Sequence, residues 1–195
     1  MAKSDINEKR LERARQEARQ RKIRSTISWV VEIVAALVLA AFFALAFCYN
    51  VPLQDASMSP TMEAGDRVLI NRLAYRVGSV KHGDLIAYRD SDSTDGQIHV
   101  KRVIGLPGET VQIRGGLISI NDETYIEDKQ FASIVNAGVA ERPISLKSRE
   151  YFVLGDNRND SEDSRFATVG NIDVDDIVGR VWFVGKPFSH MGFVE

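Results

Sequence analysis

Residues 110–121, TVQIRGGLISIN, decide the class of the folded part of this chain. Two short apolar-rich runs, VQIR and LISI, flank Gly115-Gly116, and paired glycines accept the positive φ that a primed two-residue hairpin turn demands. Outward from this hairpin, runs rich in Val, Ile and aromatic residues recur between turn signals at 67–73, 84–89, 97–106, 110–114, 117–121, 151–154 and 176–184. Pro107-Gly108 marks a further turn. No helical pattern longer than a turn or two follows residue 49, so the spacing predicts a mostly β domain. Segment 127–148 is polar and aperiodic and reads as an insertion or long loop.

Ahead of the β runs stands an apolar stretch, residues 29–49, with one charge, Glu32. A helix of 21 residues spans roughly 32 Å, enough to cross a bilayer. Residues 1–28 hold nine basic groups against four acids, and the positive-inside rule keeps such a tail in the cytoplasm. The expected organisation is therefore a basic cytoplasmic tail (1–28), a single transmembrane signal-anchor helix (29–49) and an extracytoplasmic β domain (50–195) in the cell membrane. Ala44-Leu45-Ala46 offers the small residues of a cleavable signal peptide, but the basic region and the apolar run both exceed its usual dimensions. A helix of a soluble core would show a polar stripe, which this run lacks.

The whole chain carries −2 and residues 1–28 carry +5, which leaves −7 for the rest. Nothing beyond the anchor has the basic footprint of a nucleic-acid binder, while the tail suits anionic lipid. Cys48, the single cysteine, excludes an intrachain disulfide and a thiolate zinc cluster. His82, His99 and His190 lack ligand spacing, so neither a metal nor a cofactor is expected. The acidic stretch DSDSTDG from Asp90 resembles a calcium loop only superficially. Its glycine is misplaced, and Lys101 stands where the bidentate acid belongs, so it reads as a solvated turn.

Elimination then narrows the chemistry. A GxSxG elbow and an SxxK pair are absent, and the Gly179 to Lys186 stretch misses the phosphate-loop spacing by one residue. What remains is a serine and a base. Serine needs a partner to take its proton, and both histidine and a desolvated lysine can do so. Lys101 lies inside the apolar run IHVKRVIGL, where alternation puts His99, Lys101 and Val103 on one face. Burial there lowers an ammonium pKa toward a neutral amine. A surface strand lysine is the ordinary alternative.

Four segments in order carry a resemblance: Ser57-Met58-Ser59-Pro60-Thr61; HGDLIAY at 82–88; Lys101 to Glu109, KRVIGLPGE; and Gly155 to Arg165, GDNRNDSEDSR. The chain resembles the bacterial type I signal peptidases, which carry an S-M-x-P-T box, a lysine box and a G-D-N-R-x-x-S-x-D-S-R box after an N-terminal anchor. The likeness covers roughly residues 25–185. It implies an antiparallel β fold of the signal-peptidase kind and a serine endopeptidase that removes signal peptides from secretory precursors. Ser57 would be the nucleophile and Lys101 the general base. Ser161 would hydrogen-bond the lysine amine, and Asp163, Arg165 and the nearby Arg102 would hold the site's shape. Met58 and Gly155 would contribute to substrate binding, although core packing is the plainer reading of Met58, Met62 and Phe166.

One position departs from the family pattern. Asp55, two residues before the nucleophile, stands where some members place a hydroxyl or glycine beside the oxyanion hole, and a carboxylate there would oppose catalysis. Asp55 is therefore expected to point away or be protonated, leaving the hole to the Ser57 N–H and a second, unidentified donor. The alternative to catalysis is a membrane-tethered β module acting as a scaffold or adaptor, in which Ser57 and Lys101 only pack. Eight residues separate Tyr49 from Ser57, at most about 29 Å of chain, so any chemistry at Ser57 is expected near a membrane surface.

Overall fold

The structure, a computed structural model, describes residues 2–89 and 96–194, with side chains from 19–42, 49–89 and 96–194. The turn read at 90–95 lies outside the described residues.

The first unit is a single helix, α1 (Ala2–Phe47). Its stretch Arg19–Phe42 is long and apolar enough to cross a membrane, and the side chains there are exposed on every face. A helix that is apolar all round suits lipid better than water. It ends at Phe47, two residues before the expected boundary. Cys48 and Tyr49 belong instead to a strand, β1 (Cys48–Pro52), which the sequence reading missed.

The second unit, residues 47–195, is built on antiparallel strands. After β1 come β2 (Arg67–Asn71), a single helical turn α2 (Ala74–Val77), β3 (Leu85–Arg89), β4 (Ile98–Gly105), β5 (Thr110–Arg114), β6 (Leu117–Ile120) and β7 (Glu123–Thr124). They are followed by β8 (Ile144–Ser145), β9 (Glu150–Leu154), β10 (Ile172–Asp173), β11 (Ile177–Lys186) and β12 (Gly192–Phe193). Among the described residues the larger sheet runs β1-β2-β11-β3-β4-β9-β10, with β12 added on β11, and the smaller runs β7-β6-β5-β8.

The hairpin at 110–121 forms as the glycines dictate. Arg114 pairs with Leu117, and Gly115 and Gly116 take φ of 60° and 80°. A second two-residue turn follows at Asn121-Asp122, both at positive φ, which the sequence reading passed over; Asn and Asp tolerate that region best among side-chain-bearing residues.

Alternation sorts the larger sheet into two faces. Leu85, Ala87 and Val100 pack with Val68, Ile70 and Val181 in one core, while Ile86, Tyr88 and Val103 pack with Val153 and Ile172 in another. Lys101, opposite Ile86, shares the second face. A third core fills the space under the smaller sheet, and it corrects the reading of 127–148. Ile134, Ala140 and Leu146 from that segment are buried in it beside Ile113 and Phe152. Their spacing follows neither period because the segment is a loop with one 3-10 turn (Gly138–Glu141) and the short β8.

Candidate active site

The loop from β1 to β2 is closed at its base by Leu53 and Asp66, whose N–H and carbonyl meet at 2.8 Å, and is pinned from inside by Met58 and Met62. These methionines sit four residues apart within the first core, fully buried. Met58 is thus part of the packing and does not line the cavity, which corrects its assignment to substrate binding. The buried neighbour fixes Ser57, whose three polar atoms all have partners. Its N–H donates to Asp55 Oδ1 at 2.9 Å, its carbonyl accepts from Asn157 N–H at 2.9 Å, and its Oγ lies 2.5 Å from Lys101 Nζ.

Lys101 is delivered from β4 and is 2 % exposed. Burial, the largest influence, pushes its amine below the ordinary lysine range and Arg165 adds to this. The carboxylates of Asp55, Asp163 and Glu162 act in the opposite sense without reversing it. A buried lysine with a lowered pKa, in contact with a serine hydroxyl, is the arrangement that activates a nucleophile. The pair opens on a cavity of about 480 Å³ whose walls include Asp55, Tyr88, His99, Ser161 and Ile172.

The segment after β9 braces this pair. Gly155 N–H donates to Asp163 Oδ2 at 3.0 Å, and Arg165 clasps Asp163 through Nε and Nη2, each at 2.8 Å. A Cβ on Gly155 would fall 2.2 Å from Ser161 Oγ and 2.6 Å from the Ser57 carbonyl, so a glycine is required for these segments to meet. Ser161 fills that space. Its hydroxyl donates to the Glu162 carbonyl at 3.5 Å rather than to the Lys101 amine, which corrects the role given it. Arg102 does not join Asp163 and Arg165. It pairs with Asp156, which also accepts from Thr61 Oγ1 at 2.5 Å.

Asp55 corrects the sequence reading most. Its carboxylate faces the dyad and accepts the Ser57 N–H. Partial burial pushes its pKa up, but the hydrogen bonds from Ser57 and the charges of Lys101 and His99 outweigh it and leave the group below the ordinary aspartate value. It is an ionised group on the expected oxyanion donor, neither turned away nor protonated.

Sequence reasoning missed a second layer. Arg158, buried beneath Gly155, donates to that residue's carbonyl at 3.1 Å and forks onto Glu127. The Phe131 ring lies 4.3 Å from the Arg158 guanidinium carbon and 5.3 Å from that of Arg102. Asp156 and Arg158 sit inside a quoted box and could have been singled out there. Glu127 and Phe131 lie in the aperiodic segment and carry no signal of their own.

Comparison with known proteins covers the stretch that holds these segments. A family model described as signal peptidase, peptidase S26, matches residues 26–185. Signal peptidase I U of Bacillus subtilis is 32 % identical over 180 residues, covering 89 % of this chain and 93 % of that one. Signal peptidase I of Bacillus licheniformis is 34 % identical over 178 residues, covering 87 % and 94 %. A crystal structure of a signal peptidase I from Enterococcus faecalis superposes with a TM-score of 0.41 at 28 % identity, over 52 % of this chain and 95 % of that one. With the family model matching residues 26–185 and the two Bacillus relatives covering 89 % and 87 % of it at 32 % and 34 % identity, the chain belongs to the signal peptidase family, peptidase S26.

Proposed function

We propose that this protein removes signal peptides from secretory precursors, with Ser57 as nucleophile and Lys101 as general base and acid. The observation that carries the assignment of roles is the 2.5 Å contact between Lys101 Nζ and Ser57 Oγ, with both residues buried. Neutral Lys101 takes the Ser57 proton as Oγ adds to the scissile carbonyl. The resulting ammonium gives that proton to the departing amine, leaving an acyl-enzyme. Lys101 then takes a proton from water, which attacks the ester, and returns it to Ser57 Oγ as the serine leaves.

Arg165, Asp163 and Gly155 hold the loop against Ser57, and Arg102 holds the neighbouring strand. The substrate would lie extended, adding a strand beside the short edge strand β10, because Ile172 of that strand lines the cavity. Residues 29–47 would anchor the chain in the cell membrane with 1–28 in the cytoplasm and the catalytic domain, from β1 onward, on the outer face. The basic tail and the apolar span support this orientation.

Mass spectrometry of a precursor with alanines at the first and third positions before the cut, incubated with detergent-solubilised protein, tests the proposal. Cleavage after the alanine by wild type and not by Ser57→Ala is expected. An intact precursor in both tubes, with the protein folded, would instead favour the scaffold.

A further inference from the structure

Acyl transfer requires hydrogen-bond donors aimed at the oxygen that becomes negative, and the nucleophile's own N–H is the nearest such donor. Here the Asp55 carboxylate holds it, 2.9 Å from the Ser57 nitrogen. A scissile carbonyl cannot share that N–H with an anion, because the developing oxyanion and the carboxylate would repel at contact distance. Asp55 lines the cavity and is exposed, two residues from Ser57 and on a loop, so it can leave without disturbing the core.

We propose that Asp55 is a positioning residue that plugs the oxyanion hole in the free enzyme and is displaced by the incoming peptide, so that one movement both frees the Ser57 N–H and withdraws a negative charge from Lys101. This rests on the proposed peptidase function. The second effect follows from the surroundings of the amine: Asp55, Asp163 and Glu162 favour its protonated form, while burial and Arg165 favour the neutral one. With Asp55 gone the balance shifts further toward the neutral base, and a proton held by Lys101 passes to solvent before the amine accepts the one from Ser57. Around Asp55 itself the charged groups are Lys101 and His99, with Arg89, Asp160, Glu162 and Asp176 elsewhere on the cavity wall.

Wild type, Asp55→Ser, Asp55→Asn and Ser57→Ala, each as the full chain in detergent, test this. The readouts are kcat/KM against pH on a peptide with alanines at the first and third positions, and inhibition by the corresponding peptide boronate, whose tetrahedral adduct places an oxygen in the hole. A hydrogen bond to a charged group of the usual strength corresponds to roughly tenfold to a hundredfold, so Asp55→Ser is expected to raise kcat/KM and tighten the boronate by about that factor. The acid limb of its profile moves to lower pH. Asp55→Asn keeps the shape of the plug without its charge, and so shifts the acid limb similarly with a smaller gain in rate. Equal or lower kcat/KM in Asp55→Ser, with wild type active and Ser57→Ala dead, overturns the plug and leaves the peptidase function standing. Neither cleavage nor boronate binding by wild type and Asp55→Ser overturns both.

Discussion

Arg102 and Asp156, 54 positions apart in the chain, hold each other through two parallel hydrogen bonds of 2.7 Å, Nε to Oδ1 and Nη2 to Oδ2. Both are buried, so removing one partner strands the other's charge away from water. Asp156→Ala is expected to cost about 3–5 kcal/mol, and the double change Arg102→Met with Asp156→Leu less than that. Thermal unfolding of the solubilised variants checks the order. A double variant less stable than the single one would show that the pair stabilises the fold outright.

Lys101→Met is expected to abolish cleavage, by about 10³-fold or more, and to raise the melting temperature near neutral pH. The folded-state pKa of Lys101 lies below the ordinary 10.5. The unfolded chain therefore holds more protons between those two values, and wild-type stability climbs with pH across that window. Below it the full penalty of a buried ammonium is present; above 10.5 it is gone. Melting curves against pH for both proteins should thus converge as pH rises, and divergence would contradict the assigned direction.

Gly155→Ala places a methyl where Ser161 Oγ and the Ser57 carbonyl already stand. Overpacking of this kind costs about 1–3 kcal/mol, and here the strain falls on the nucleophile, so kcat should drop more than stability suggests. Adding Ser161→Gly clears the hydroxyl but not the Ser57 carbonyl, and only partial recovery of kcat is expected from initial-rate assays.

Glu127→Ala leaves the Arg158 guanidinium, 2 % exposed at its side chain, without its carboxylate. A loss of about 3 kcal/mol is expected. Phe131→Leu keeps apolar bulk and removes the ring face that two guanidinium groups share, for about 1–2 kcal/mol. Denaturation of the two variants ranks them, and the reverse order would mean that the ring outweighs the ion pair.

Strand positions were legible where alternation or a glycine turn declared them, as at 110–114, because a half-buried strand writes its two faces into its sequence, and around Lys101, where a run of apolar residues marks a strand buried on both faces. β1 was hidden because its first residues, Cys48 and Tyr49, continue the apolar run of α1, and only its pairing with β2 separates them. Segment 127–148 was opaque for the opposite reason: single residues such as Ile134 and Leu146 reach the core from irregular backbone. At the site, Ser57 and Lys101 were singled out with the help of the resemblance, and the structure brings their side chains together. The partners of Ser161, Arg102 and Asp55 were not legible: Asp156 stands 54 positions from Arg102, and the local turns that aim Asp55 at the Ser57 N–H and Ser161 at the Glu162 carbonyl leave no periodic pattern in the sequence.

The contacts that make the site join residues 44, 54 and 95 positions apart: Ser57 to Lys101, Arg102 to Asp156, and Thr61 to Asp156. A ribosome delivers the serine first, the lysine strand next and the bracing segment around Asp163 last. An unfinished chain holds a serine with no base, then a base with no brace. On the proposed roles of Ser57 and Lys101, a newborn copy emerging among other newborn proteins would be harmless to them, and to itself, until most of its length has been made.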